Sequence, residues 1–208
     1  MKVPFTSEQF FEIFEKYNSA MYPSQIILLV LALLGIFLLY SKNPIKDKFI
    51  GLFLGLLWIW TGLMYHITFF TQINKLAFVF GGLFIIQGIL ILISSLFTRQ
   101  LVFSYHHQTK DYFGYFFIGF GLIVYPLISY FTLGEITKTI SLGLPCPTTI
   151  FTFGFLILTS SQFPKYLLII PSLWALVGLS AAINFGVYQD YMIIVAAITA
   201  NYFLLKRR

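Results

Sequence analysis

The sequence predicts an all-α integral membrane protein: a bundle of seven transmembrane helices with an N-terminal amphipathic surface helix. Three observations predict it. Of 208 residues, 59% are hydrophobic and only 10% charged, whereas an ordinary soluble domain is about 25% charged. Seven apolar runs recur along the chain, each near the ~20 residues that a helix needs to cross a bilayer. The thirteen Lys and Arg residues fall outside those runs, as membrane topology requires. The net charge of +6 is therefore read as loop charge facing lipid and water, and nucleic acid is not expected as a partner.

The chain divides into residues 1–22, an amphipathic helix, and residues 23–208, the spanning domain. Thr6 and Gln9 have capping-box spacing, and Phe5 with Phe10 has the spacing of a hydrophobic staple. From Ser7 to Asn18, Phe10, Ile13, Phe14 and Tyr17 share one helical face, and Glu8, Glu12 and Glu15 lie opposite. Such a segment is too short and too charged to span. It is expected at the membrane surface or across the mouth of the bundle. Its acidic face is read as a solvated face, with a cation-attracting vestibule as the sharper alternative. The first apolar run follows about twenty polar and amphipathic residues rather than a short basic start, so no cleaved signal peptide is expected.

The seven runs are Pro23–Tyr40, Phe49–Phe69, Leu76–Phe97, Phe113–Phe131, Ile140–Ser160, Tyr166–Phe185 and Tyr191–Leu205. Small residues at Gly51 and Gly55, and at Gly178 and Ala182, suit close helix packing. Pro126 and Pro171 predict kinks. The connecting segments alternate in charge. One set carries Lys42, Lys46, Lys48, Arg99, Lys110, Lys165, Lys206, Arg207 and Arg208. The other carries Lys2, Lys16, Lys75 and Lys138. The positive-inside rule then places the N-terminus outside and the C-terminus in the cytoplasm, in the inner membrane of a cell.

The fifth run contains the stretch Leu142 to Gly154 and the only cysteine, Cys146, between Pro145 and Pro147. Two prolines so close do not fit a regular helix interior, because each removes a backbone donor and restricts its predecessor. The run is expected to break there, with a half-helix from Thr148 to Ser160 beyond it. The positive end of that half-helix would favour an anion or a thiolate at Cys146. Discontinuous helices aimed at a site inside the membrane are a recurring transporter device.

Polar groups in lipid need partners and face the bundle interior. The polar residues expected to line a substrate site are His66, Gln87, Tyr125, Cys146, Thr148, Thr149 and Asn184, most of them at similar depth on the outer side. Each has a plainer alternative as a packed or internally bonded residue. Cys146 with an imidazole would suit a soft metal, but no metal or cofactor is specified. Trp58, Trp60 and Trp174 lie within the runs, where their indole N–H groups need acceptors. Carboxylates are scarce in the runs, with Glu135 and Asp190 near their ends, which argues against a chain of buried acids. Phosphate loops, zinc-protease motifs and nucleophile elbows are absent, and no catalytic residue is assigned.

Several segments resemble a bacterial membrane-protein family of unknown function, domain-of-unknown-function family 6064. They are Pro4-Phe5-Thr6 with Glu8-Gln9-Phe10 and Tyr17-Asn18, then Tyr65-His66 with Phe69-Phe70 and Ile73-Asn74. The stretch Gly143-Leu144-Pro145-Cys146-Pro147-Thr148-Thr149 through Gly154 is the most specific, and Trp174 with Gly178, Ser180, Ala181 and Ala182 completes the pattern. The resemblance implies a small multi-span membrane protein and carries over no activity. The residues themselves favour a transporter or channel-like protein for a small solute or ion, with an outward-facing polar site at the broken helix. A membrane sensor or structural subunit is the second expectation, and a membrane-embedded thiol enzyme the last. The oligomeric state is left open.

Overall fold

A computed structural model describes residues 4–159 and 163–206. Lys2, Arg207, Arg208 and the expected helix end at Ser160 lie outside the described residues. Among those residues the fold is all-helical. The helices are α1 (Ser7–Met21), α2 (Ser24–Leu38), α3 (Ile45–Trp60), α4 (Ala77–Leu92), α5 (Thr109–Gly119), α6 (Tyr125–Leu133), α7 (Pro145–Ile157), α8 (Ile169–Phe185) and α9 (Tyr191–Leu205). Phe103 and Thr159 form an isolated β-bridge.

α1 starts as its sequence dictates. The Thr6 hydroxyl accepts from Gln9 N–H, and the Gln9 side chain accepts in return from Thr6 N–H. The Phe5 and Phe10 rings stack 5.9 Å apart. All four apolar-face residues, Phe10, Ile13, Phe14 and Tyr17, are buried. α1 meets α2 at an angle of 82°.

Four helical stretches are long and apolar enough to cross a membrane: Ile45–Gln72, Ala77–Phe97, Thr109–Leu133 and Lys165–Phe185. Counting the bent pair α1 and α2 as one makes five. Helix length therefore supports fewer spans than the seven apolar runs. The runs at α2, α7 and α9 form helices of 15, 13 and 15 residues. Pro23 and Tyr40 flank α2 rather than lengthening it. Turns and loop segments take up the remaining apolar residues of the run around α7.

Cross-links between connecting segments define two ends. At one, the Asn18 amide donates to the carbonyls of Thr137 (2.7 Å) and Thr139 (2.9 Å), and Phe10 stacks on Phe185 at 4.5 Å. At the other, Phe103 N–H donates to Asp47 Oδ1 (2.8 Å), Ser104 N–H donates to the Leu158 carbonyl (2.8 Å), and Lys165 Nζ reaches the Leu205 carbonyl (3.1 Å).

α7 occupies the centre, with Pro145 and every residue from Pro147 to Ile157 buried. The double proline does not break this helix; it begins it. Leu144 is the N-cap, and Thr148 N–H makes the first helical bond, to the Leu144 carbonyl (3.2 Å). The N–H groups of the first three helical residues have no intrahelical acceptor. Prolines at two of those positions remove two orphan donors and fit the first turn without loss. The helix therefore starts three residues before the expected Thr148. Pro171 likewise falls in the first turn of α8, after the 3₁₀ turn Lys165–Leu168, so the kink expected there is replaced by a helix start.

Pro126 is accommodated differently. α5 widens into a π-helical stretch, Phe120–Val124, immediately before α6. The change of hydrogen-bond spacing absorbs the missing proline donor. Two more π-helical stretches, Thr61–Phe69 and Ile93–Phe97, continue α3 and α4.

Close packing rests on glycine against backbone. A Cβ on Gly154 would lie 2.7 Å from the Gly114 carbonyl oxygen, joining α7 to α5, and one on Gly88 would lie 2.5 Å from the Gly55 carbonyl oxygen, joining α4 to α3. The Trp58 indole N–H donates to Thr152 Oγ1 (2.9 Å) and locks α3 onto α7.

Two stability predictions follow from this packing. Gly154→Ala is expected to cost roughly 1–3 kcal/mol, the range for overpacking. Gly82→Ala, where a Cβ meets nothing within 4 Å, should be neutral or gain under about 1 kcal/mol. Thermal unfolding in detergent compares them, and equal melting temperatures would contradict the packing described. Trp58→Phe deletes one buried hydrogen bond and part of a buried ring. It should lower stability by about 1–2 kcal/mol in the same assay.

Candidate functional site

A cavity of about 490 Å³ lies at the α1 end, between α1, the start of α4, the start of α7 and the last turns of α8. Its position follows from where α7 begins. Because the proline pair starts the helix inside the bundle, Pro145 and Cys146 form part of the cavity wall rather than of a surface loop. α8 supplies the space: Gly178 and Ala181, four and seven residues after Trp174, leave room where larger side chains would fill it. A Cβ on Gly178 would sit 3.5 Å from the Cys146 sulfur.

The wall is mostly apolar, with aromatic rings prominent in it. Tyr65, Phe80 and Trp174 contribute on one side, and Phe10 and Phe14 of α1 on another. Trp174 is held edge-on by Phe80 (5.4 Å between centroids), Phe84 (5.1 Å) and His66 (5.0 Å). Against this apolar surface stand a few polar groups. The Tyr125 hydroxyl donates to Asp190 Oδ1, and the Cys146 thiol faces the same carboxylate. Asp190 is 2% exposed. It sits at the end of the 3₁₀ turn Tyr188–Asp190 between α8 and α9. Burial pushes its carboxyl up to about 7, against the lowering effect of Tyr125 and Cys146. Asn74, Ser180 and Asn184 add neutral polar groups, with Ser180 and Asn184 exposed at the rim. Among the described residues no basic side chain lines the cavity.

One donor in this wall is unpaired. Trp58 donates to Thr152, and Trp60 donates to the Tyr17 hydroxyl at 2.8 Å. The Trp174 indole N–H lies beside the Cys146 sulfur without a hydrogen bond of regular geometry, and it is buried. A buried donor without an acceptor is costly.

Of the residues expected at a site, Tyr125, Cys146 and Asn184 line this cavity. His66 does not. It is fully buried behind Trp174, with both ring nitrogens unpaired. Gln87 lies deeper, where its amide donates to the Leu167 carbonyl (2.9 Å). Thr148 and Thr149 are turned to backbone: Thr148 Oγ1 accepts from Gly143 N–H (3.1 Å), and Thr149 Oγ1 donates to the Pro145 carbonyl (2.8 Å). A threonine inside an apolar helix satisfies itself in this way.

Two residues central to the cavity's chemistry, Asp190 and Trp174, were not among the expected site residues. Asp190 reads in the sequence as an acid at the start of the last run; the fold turns that end inward. Asp190 does lie at the end of a run, as expected, but that end is buried, and so is Asp111 in the first turn of α5. Trp174 was noted as one of three buried tryptophans; its spacing to Gly178 and Ala181 was the available signal. Among the described residues no three His, Cys, Asp or Glu side chains group as a metal site.

Comparison with known proteins gives one match. No curated protein and no solved structure matches the chain. A family of unknown function, DUF6064, matches over residues 7–208, a stretch that holds all but Pro4 and Phe5 of the cavity wall. The chain belongs to the DUF6064 family.

Proposed function

We propose that this chain is a multi-pass protein of the cytoplasmic membrane, and that it acts as a transporter or channel-like protein for a small solute through the cavity at the α1 end. The observation that carries this reading is the cavity itself: a concave, mainly apolar wall rich in aromatic rings, with a few converging polar groups, which is the usual make-up of a small-molecule site. In a chain so apolar, a buried carboxylate is expensive and marks a functional position by default.

Seven crossings are part of the proposal. Four stretches are long enough by themselves. α2, α7 and α9 are shorter but run between the same two groups of connecting segments as the long helices. Charge supports the orientation with the cavity outside. Among the described residues the α1 end carries Lys16, Lys75 and Lys138 beside Glu8, Glu12, Glu15, Glu135 and Asp190. The opposite end carries Lys42, Lys46, Lys48, Arg99, Lys110, Lys165 and Lys206 beside Asp47 and Asp111. The basic end would face the cytoplasm.

A second reading, a membrane sensor, draws on the far side of the cavity. There α7 is buried along its length, and the opposite end is tied by the Asp47–Phe103 and Ser104–Leu158 bonds. Solute flux into proteoliposomes separates the two, because a sensor binds without flux.

The single cysteine offers a direct check. Intact cells treated with a small membrane-impermeant thiol reagent should label Cys146 slowly, and Cys146→Ser should abolish the signal. Labelling only after lysis would reverse the orientation. Absence of labelling in both conditions would remove the open cavity and the proposal with it.

A further inference from the structure

The composition of the cavity wall narrows the solute class. Among the described residues, Asp190 is the only carboxylate lining the cavity, and no Lys, Arg or His lines it. Its neighbours, the Tyr125 hydroxyl and the Cys146 thiol, are neutral donors. A buried carboxylate in an aromatic enclosure is left without a counter-charge unless a ligand brings one. Rings from three elements, Tyr65, Phe80 and Trp174, line the cavity, and a cation is stabilised over an aromatic face. The second observation is the Trp174 N–H, which is buried in the cavity wall beside the Cys146 sulfur and lacks an acceptor of good geometry. It calls for an oxygen on the ligand close to the charged group, since Trp174 and Asp190 both flank Cys146.

We infer that the cavity binds a small organic monocation: a protonated amine on an apolar, preferably aromatic, body that also carries an acceptor oxygen near the amine. This rests on the proposed reading of the cavity as a solute site. Asp190 pairs with the ammonium, Trp174 donates to the oxygen, and the aromatic wall covers the body.

The test uses the full chain in uncharged detergent and four probes of one size: 2-amino-1-phenylethanol, 2-phenylethylamine, 1-phenylethane-1,2-diol and mandelate. Binding is read as protection of Cys146 from a thiol reagent. The amino alcohol should protect best. Loss of its hydroxyl should weaken protection several-fold, and replacement of its ammonium by hydroxyl by about tenfold or more. Mandelate should not protect. Asp190→Asn should erase the preference for ammonium, and Trp174→Phe the preference for the hydroxyl.

A wild-type measurement guards against variants that fail to fold. Phenyltrimethylammonium is charged at every pH, so its binding reports the protein's own titration. Its affinity should fall from about pH 8 to about pH 5, as the Asp190 carboxylate gains a proton. The titratable groups facing that carboxylate are the Tyr125 hydroxyl, the Cys146 thiol and the Tyr65 hydroxyl. Equal protection by amine and diol, preference for mandelate, a pH-independent affinity, or no protection of an otherwise reactive Cys146 would each overturn the cation inference and leave the solute cavity standing. A Cys146 that is unreactive without any ligand would overturn the underlying reading instead.

Discussion

A helix enclosed on every side has no water to satisfy its backbone, and that constraint on α7 governs the rest of the fold. The proline pair removes two of the donors that its first turn leaves unpaired. The loop before it is stapled by its neighbours: Tyr17 and Thr61 hydroxyls both lie 3.2 Å from the Gly143 carbonyl, and Thr148 takes the Gly143 N–H. Gly143 itself, at φ +97°, occupies a conformation that favours glycine. The surrounding helices then approach as near as backbone allows, Gly114 to Gly154 and Gly121 to the Pro147 carbonyl. Close backbone approach is how helices gain dispersion energy where lipid offers no hydrophobic contrast.

The cavity is the counterpart of that early start. α7 begins within the bundle, and the volume between its first residues and α1 is only partly filled. Small residues on α8 widen it, and aromatic rings from α1, α3 and α4 roof it. A polar cluster in such a place is stabilised by few partners. Tyr125 serves Asp190 from α6, Cys146 from α7, and Asp190 itself comes from the turn before α9. Three separate elements must therefore be in register for the cluster to exist.

Much of this was legible in the sequence where the signal is local. The α1 capping box, its buried apolar face and the irregularity near Cys146 all depend on residues within a few positions of one another. The membrane-compatible apolar helices follow from composition. What was not legible depends on distant partners. Thr148 and Thr149 looked like site residues because polarity in an apolar run stands out, yet a threonine can bond its own helix. His66 and Gln87 share the cavity's end or depth but are cut off by rings and by a carbonyl of another helix. Asp190 was discounted because a sequence shows that an acid is near a helix end, not whether that end points outward. Helix length by itself gives four or five spans rather than seven because hydropathy measures apolar length, whereas α2, α7 and α9 surrender part of that length to turns and caps.

The π-helical stretch from Thr61 to Phe69 sets the azimuth of the aromatic wall. It carries Tyr65, a wall residue, and His66, which backs it. Each helical residue advances the chain by about 100° around the axis. Deleting a single residue there, and so restoring ordinary α spacing, would leave the helix beyond it close to its present azimuth, because the wider π turns are what absorb the extra residue. Residues inside the stretch, Tyr65 among them, would change face, while the composition of the segment hardly changed. Within the DUF6064 family, then, a one-residue gap in this segment is a larger alteration of the cavity than most substitutions of the residues that line it.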